Sequence, residues 1–118
     1  MANTVSWFEV VGQDGQKLRN FYADVFGWQF QMPEGLEGVD YGMTDPSQTG
    51  IGGGIGTTPA GAGHATFYVE VDDPQATLDK IESAGGKVVM PVTEMPMVTL
   101  AQFEDPEGHL VGLFKGTG

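Results

Sequence analysis

The chain has 118 residues, a length that suits one domain with a buried core, and 40% of them are hydrophobic. Its 16 acidic and 5 basic residues give a net charge of −11, which disfavours binding to nucleic acid or to an anionic membrane. The absence of cysteine excludes disulfides, thiolate catalysis and cysteine-ligated zinc. Because no apolar run is long enough to span a bilayer and no basic-then-apolar leader is seen, we expect a soluble, unexported, cytoplasmic protein.

The first half of the chain predicts a strand, a helix and three further strands. Thr4–Val11 is rich in β-branched and aromatic residues, which favours a strand with Trp7 and Glu9 on one face. Asp14 is the predicted N-cap of the helix, and Gly27 is its predicted end. The apolar stripe of this helix consists of Leu18, Phe21, Tyr22, Val25 and Phe26. The later strands are predicted at Trp28–Met32, Val39–Thr44 and Ile51–Gly56.

After a glycine-rich linker at Thr57–Gly63, the same pattern starts again. Ala65–Val71 alternates like a half-buried strand, and Asp73 followed by Pro74 predicts the start of a second helix. The buried side of that helix is predicted to consist of Leu78, Ile81 and Ala84. The last strands are predicted at Lys87–Met90, ending at Pro91, and in a hairpin of Val98–Phe103 and His109–Phe114.

The two halves of the chain repeat each other. At an offset of 59 residues, the corresponding pairs are Phe8 and Phe67, Val10 and Val69, Asp14 and Asp73, and Gly27 and Gly86. Each half reads as strand, helix and three strands. The sequence therefore predicts an α+β fold of two βαβββ modules in one domain, module one at residues 1–57 and module two at residues 64–118.

Three segments carry a resemblance to a known family. They read F-Y-A-D-V-F-G-W, V-D-D-P-Q-A-T-L-D-K-I-E-S-A-G-G and F-E-D-P-E-G-H-L-V-G-L-F. Together they resemble the vicinal oxygen chelate superfamily, which includes glyoxalases, bleomycin-resistance proteins, fosfomycin-resistance enzymes and extradiol dioxygenases. The resemblance implies an open, curved half-barrel sheet with helices on its outer face, a cavity for a small molecule, and often a homodimer.

The resemblance also implies four positions at which enzymes of this superfamily carry histidine or glutamate ligands to a divalent metal. Carried over to this sequence, they fall on Trp7, Gly53 or Gly54, Thr66 and Gly112. A divalent ion needs about three converging nitrogen or oxygen donors, and these residue types do not offer them. We therefore predict no metal site and no cofactor. His64 is interpreted as a residue at the start of a strand and partly in water, and His109 as solvated.

The candidate ligand-binding residues lie on the presumed concave face. They are Trp7, Glu9, Thr66, Tyr68 and Phe114. Tyr68 combines an apolar ring with a polar tip that suits a ligand hydrogen bond. Glu9 and Glu70 also alternate onto this face; the favoured interpretation is a carboxylate in water at the rim, and the alternative is a base whose pKa is raised by burial.

Three functions follow as hypotheses, and the sequence leaves open whether the protein is an enzyme. The first is a metal-free protein that binds a flat or apolar small molecule, similar to the drug-sequestering members of the superfamily. The second is a metal-dependent glyoxalase or dioxygenase with displaced ligands. The third is a metal-independent lyase or isomerase that uses Glu9 or Glu70 as its base. In each case we expect a small-molecule partner, a homodimer, and no nucleic acid or membrane partner.

Overall fold

The computed structural model describes residues 2–34, 38–58, 61–95 and 98–116. These residues form two compact units, which we call the N-terminal unit (residues 7–65) and the C-terminal unit (residues 2–6 with 66–116). Each unit combines helices with strands, which confirms the predicted α+β class. The predicted linker Thr57–Gly63 contains residues 59 and 60, which lie outside the described residues. No helix in the described ranges is both long and apolar enough to cross a bilayer.

The N-terminal unit is built on a short sheet of mixed direction. Its elements are β1 (Val5–Gly12, most of it in this unit), α1 (Gly15–Phe26), β2 (Tyr41–Thr44), α2 (Pro46–Thr49) and β3 (Gly52–Thr57). β3 lies in the middle, parallel to β1 and antiparallel to β2. The predicted limits of α1 are confirmed, because the Asp14 carboxylate accepts the Lys17 N–H and Gly27 ends the helix with a φ of 76°.

The predicted apolar stripe of α1 is not the side that this helix buries. Phe21, Val25 and Phe26 are 57%, 52% and 59% exposed, whereas the buried residues of α1 are Gly15 and Arg19. A side chain at position 15 would collide with the backbone of β3, so glycine lets the helix approach the sheet there. The periodicity of apolar residues therefore predicted the helix correctly and its packing face wrongly.

The predicted strand Trp28–Met32 is also wrong. Its only ladder contact among the described residues is a single bridge between Gln31 and Met43. Trp28 instead stacks on Tyr22 of α1, with ring centroids 5.6 Å apart and an interplanar angle of 9°. Ring stacking on the helix has taken the place of strand pairing.

The C-terminal unit has four strands and one helix. Its elements are β4 (His64–Glu70, most of it in this unit), α3 (Pro74–Ser83), β5 (Lys87–Glu94), β6 (Val98–Glu104) and β7 (Leu110–Gly116). The order is β4-β7-β6-β5, with β4 parallel to β7 and the other pairs antiparallel. The predicted hairpin of β6 and β7 is confirmed. Asp105 closes its turn by accepting the N–H groups of His109 and Glu107, and the His109 N–H contributes most to lowering the pKa of Asp105.

An apolar core lies between α3 and this sheet. Its buried members are Val71, Leu78, Ala101 and Leu113, with Val69, Ile81, Val88, Val92 and Phe103 packed around them. The predicted end of a strand at Pro91 is wrong, because β5 continues to Glu94. β5 is the last strand in the order and its register shifts between Met90 and Thr93. An irregular outer strand tolerates a proline that donates no hydrogen bond.

Candidate functional site

A face floored by glycine organises the candidate site in the N-terminal unit. In the parallel pair of β1 and β3, Trp7 lies opposite Gly52 and Glu9 lies opposite Gly54. Tyr41 of β2 lies opposite Gly56 of β3, two residues further along the strand. Because alternate residues of a strand share a face, Trp7, Glu9 and Tyr41 all stand over the same side of β3.

Four side chains on this face are joined by hydrogen bonds, and we call them the Glu9 cluster: Trp7, Glu9, Tyr41 and His64. The indole N–H of Trp7 donates to the Tyr41 hydroxyl at 3.0 Å, and that hydroxyl donates to Glu9 Oε1 at 3.0 Å. His64 Nε2 lies 2.8 Å from Glu9 Oε2. A carboxylate is therefore held between a tyrosine and a histidine, as it must be to exchange protons or grip a polar ligand.

The cluster is neither sealed nor open. The side chain of Glu9 is 14% exposed and that of His64 is 24% exposed. The favoured interpretation of Glu9 as a rim carboxylate in water is wrong, because Tyr41 and His64 cover it. His64 does start a strand and does remain partly in water, as predicted, but its pairing with Glu9 was not foreseen.

Tyr41 is the member of the cluster that sequence reasoning missed. A Cβ atom on Gly54 would overlap the Tyr41 ring, so the ring lies directly on the backbone of β3. The signal was present in the sequence: glycines at alternate positions 52, 54 and 56 leave one face of a strand without side chains. An aromatic ring from a neighbouring strand is a natural occupant of such a face.

A buried arginine fixes the start of β2 and hence Tyr41. Arg19, 5% exposed, donates to the carbonyl oxygen of Ile55 at 2.9 Å and to Asp40 at 2.5 Å. The hydroxyl of Thr57 also donates to Asp40. That hydroxyl, and after it the Arg19 guanidinium, lowers the pKa of Asp40 below its ordinary value. Because Asp40 precedes Tyr41 in the chain, this network anchors the ring from the opposite side of the sheet.

The other predicted binding residues lie in the C-terminal unit. Tyr68 is only 3% exposed, and its hydroxyl accepts a hydrogen bond from Gln102 at 2.9 Å. The Thr66 hydroxyl donates to the carbonyl oxygen of Leu110. Phe114 is half-buried and lies opposite Glu70 in the pairing of β4 with β7. Their roles in binding stay predictions.

The residues at the four metal positions do not fit a divalent ion. The indole nitrogen of Trp7 is a donor, and the Thr66 hydroxyl is engaged with the Leu110 carbonyl. At Gly54 the space of a ligand side chain is filled by the Tyr41 ring, and at Gly112 it is filled by the Tyr68 ring. Nor do three His, Asp or Glu side chains converge anywhere in the described ranges.

Two other features of the structure offer less chemistry. Glu70, the alternative base, is exposed and accepts a hydrogen bond from Ser6 at 3.2 Å. An open groove of about 520 Å³ lies beside the start of α1, lined by residues that include Leu18, Phe21 and Tyr22. The carboxylate in this groove, Asp14, already caps the helix. The Glu9 cluster is therefore the better candidate site.

Comparison with known proteins places this geometry in context. The family model described as Glyoxalase/Bleomycin resistance protein/Dioxygenase superfamily matches residues 4–113. A protein of Mycobacterium tuberculosis named "Putative glyoxylase CFP32" is 30% identical over 121 residues, covering 95% of this chain. The chain spans 45% of the length of that relative. A "Glyoxylase-like domain-containing protein" of Didymella fabae is 32% identical over 114 residues, covering 89% of this chain and 88% of its own.

Solved structures show the same fold at low sequence identity. Hypothetical protein BH1468 from Bacillus halodurans superposes with a TM-score of 0.72 at 12% identity, covering 100% of this chain and 97% of its own. Methylmalonyl-CoA epimerase from Mycobacterium tuberculosis gives a TM-score of 0.67 at 11% identity, covering 97% of this chain and 88% of its own. Identities this low support the fold and say nothing of the reaction.

Proposed function

Because the chain belongs to the glyoxalase/bleomycin resistance protein/dioxygenase superfamily, we propose that it binds a small molecule at the Glu9 cluster without a metal ion. The observation that carries the proposal is the hydrogen-bonded series from Trp7 through Tyr41 and Glu9 to His64. Such convergence of polar groups beside aromatic rings is typical of small-molecule sites.

The surroundings of the cluster suit a flat or apolar ligand. The Trp7 ring lies over Gly52, and the Tyr41 ring lies over Gly54, so both present broad apolar surfaces. Aromatic rings bind flat molecules by stacking, and the carboxylate of Glu9 fixes orientation. The poor fit of the four metal positions supports a mode of binding that depends on these side chains alone.

The two tryptophans of the chain provide a direct test. In the Trp28→Phe variant, Trp7 is the only indole, so a ligand at the cluster must change its fluorescence. We expect aromatic compounds that raise the melting temperature of the wild type, with EDTA present, to change the emission of this variant. The matched control is Trp7→Phe, whose Trp28 emission should not respond.

Two results would overturn the proposal. One is a screen in which no compound stabilises the protein unless a metal is added. The other is a set of stabilising compounds that change Trp28 emission and leave Trp7 emission unaltered, since they would bind elsewhere.

A specific observation also favours a second candidate, a metal-independent lyase or isomerase that uses Glu9 as its base. A carboxylate between a histidine and a tyrosine can take a proton from carbon and pass it on. For this candidate, Glu9→Gln should abolish exchange of solvent deuterium into a bound carbon acid while leaving its Kd within about threefold. Exchange that persists in Glu9→Gln and stops in Glu70→Gln would move the base to Glu70.

We also propose that the protein is a homodimer, as the sequence predicts. The support is the exposed apolar surface on α1, which includes Phe21, Val25 and Phe26. Light scattering coupled to size exclusion should give twice the chain mass for the wild type and a lower mass for Phe26→Asp. Val89→Asp, at an exposed position of β5, is the matched control and should stay dimeric. A monomeric wild type would contradict the proposal.

A further inference from the structure

The Glu9 cluster spends its own hydrogen atoms internally. The single indole hydrogen of Trp7 goes to Tyr41, and the single hydroxyl hydrogen of Tyr41 goes to Glu9. An ionised carboxylate only accepts, so the 2.8 Å contact places a hydrogen on His64 Nε2. In the neutral imidazole that hydrogen is the only one on the ring. All three donors are then used within the cluster.

What the cluster offers to a ligand is therefore acceptors. A neutral imidazole that donates through Nε2 presents Nδ1 as an acceptor, and a carboxylate can accept about four hydrogen bonds in total. Glu9 and His64 both retain exposed surface, 14% and 24% of their side chains, through which a ligand group can reach them. A ligand group that only accepts finds no matching hydrogen there.

The charges of the N-terminal unit act in the same direction. Its basic residues are Lys17 and Arg19, both on α1. Arg19 contacts Gly42 and Ile55, which alternate with Tyr41 and Gly54, so α1 covers the face opposite the cluster. An anionic group on the face of the cluster would meet the Glu9 carboxylate without a cation from this unit, which costs free energy.

We infer that the Glu9 cluster selects flat ligands whose polar groups donate hydrogen bonds, namely hydroxyl, amide N–H or ammonium groups. Carboxylates, phosphates and compounds that only accept hydrogen bonds are rejected, and a CoA thioester with its phosphates belongs to the rejected class. This inference rests on the proposed function, since it concerns the same site.

The test uses pairs of aromatic fragments that differ in one group. Benzylamine is compared with benzoate, and benzyl alcohol with benzyl methyl ether, within a larger library of such pairs. Binding is followed through the indole N–H resonance of Trp7 in ¹⁵N-labelled Trp28→Phe protein. We expect the donor of each pair to bind with a Kd at least about tenfold lower than its partner, equivalent to about 1.4 kcal/mol.

A variant reverses the rule. In Glu9→Gln the side chain gains two N–H donors and loses its charge, so the preference for benzylamine over benzoate should fall about tenfold or more. Glu70→Gln makes the same change in net charge at an exposed carboxylate and should leave the preference unaltered. Thermal unfolding of both variants checks that they fold.

The outcomes separate the inference from the function beneath it. If acceptor-only or anionic fragments bind Trp28→Phe as tightly as their donor partners, the inference is overturned while the proposed function stands. If no fragment of any class shifts the Trp7 resonance, the proposed function fails and the inference fails with it. Because the pairs are compared in protein that retains the cluster, a Glu9→Gln variant that does not fold still leaves the comparison decisive.

Discussion

The helices of the two units bury different kinds of residue at the same position of the repeat. Arg19 and Leu78 are 59 residues apart, and each lies five residues after an aspartate N-cap. Arg19 is 5% exposed and Leu78 is 2% exposed. One helix is therefore anchored by hydrogen bonds to a strand carbonyl and a carboxylate, and the other by apolar packing alone.

The strands beneath the helices explain the difference. β3 reads G-G-G-I-G-T and offers one apolar side chain, so a helix above it can gain stability from backbone carbonyl groups but little from packing. β7 reads L-V-G-L-F-K-G and supplies a continuous apolar surface to α3. The comparison teaches that the glycines which make room for Trp7 and Tyr41 also remove the packing partners of α1. In the N-terminal unit, site geometry and stability are thus coupled through Arg19.

The largest effect is expected for Leu78→Ala, which removes the centre of the apolar anchor. Leu78 is fully buried against Val71, Ala101 and Leu113, so the free energy of unfolding should fall by about 3 kcal/mol. Urea unfolding measures this loss. Lys80→Ala, at an exposed position of the same helix, is the control and should change stability little. A loss below about 1 kcal/mol would show that α3 is not held by this core.

Arg19→Met is expected to cost less, about 2 kcal/mol, and to reach the site. Methionine keeps the length of the side chain but leaves the Ile55 carbonyl and Asp40 without the guanidinium. Because Asp40 precedes Tyr41, the Trp7 emission of Trp28→Phe protein should also change. The opposite result, a variant of wild-type stability and unchanged emission, would remove the coupling that distinguishes the two units.

Lys17→Met is the matched control for that experiment. It removes a positive charge from the same helix at an exposed position that makes no contact with Asp40. We expect its free energy of unfolding to stay within about 0.5 kcal/mol of the wild type. Leu78→Ala supplies the complementary check, since its larger loss of stability should leave the environment of Trp7 intact.

A pair of hydroxyl deletions sharpens the comparison further. Tyr41→Phe and Tyr68→Phe each break a single hydroxyl group from its partner, Glu9 and Gln102 respectively, and each should cost about 1 kcal/mol of stability. Only Tyr41→Phe should weaken ligand binding, by about tenfold, as measured by titration of Trp7 emission. Equal effects on binding would mean that both tyrosines serve the ligand, contrary to the contrast drawn between them.

Much of this architecture was predictable from local signals. The repeat, both aspartate N-caps and the hairpin of β6 and β7 follow from turn and capping residues whose chemistry acts within a few positions of the chain. The absence of ligand side chains at Gly54 and Gly112 was equally visible, because a glycine cannot coordinate a metal through its side chain. These are statements about single residues and their neighbours in sequence.

The site itself depended on contacts that no local pattern encodes. Arg19 reads as a solvent-facing residue until its partners Asp40 and Ile55, distant in sequence, are brought beneath it. Tyr41 likewise gains its role from β3, whose alternate glycines receive its ring. Apolar periodicity marked Phe26 as buried, yet glycine at position 15 turned the other side of the helix toward the sheet. Tertiary contacts overrode helix patterning in each case.

The smallest effect is expected from the titration of Asp40. Hydrogen bonds from Thr57 and then Arg19 hold its pKa below the ordinary value. A lowered folded pKa gives stability that is fully present above the unfolded pKa of about 3.9 and is lost as pH falls through the folded value. Its side chain is 40% exposed, so solvent screening limits the loss to about 0.5 kcal/mol. Between about pH 6 and pH 2.5, the wild type should therefore lose that much more stability than Asp40→Asn in urea unfolding, because the other carboxylates titrate in both proteins. Equal losses would show that Arg19 is held by its burial and by the Ile55 carbonyl, with the charge of Asp40 contributing nothing to the polar anchor.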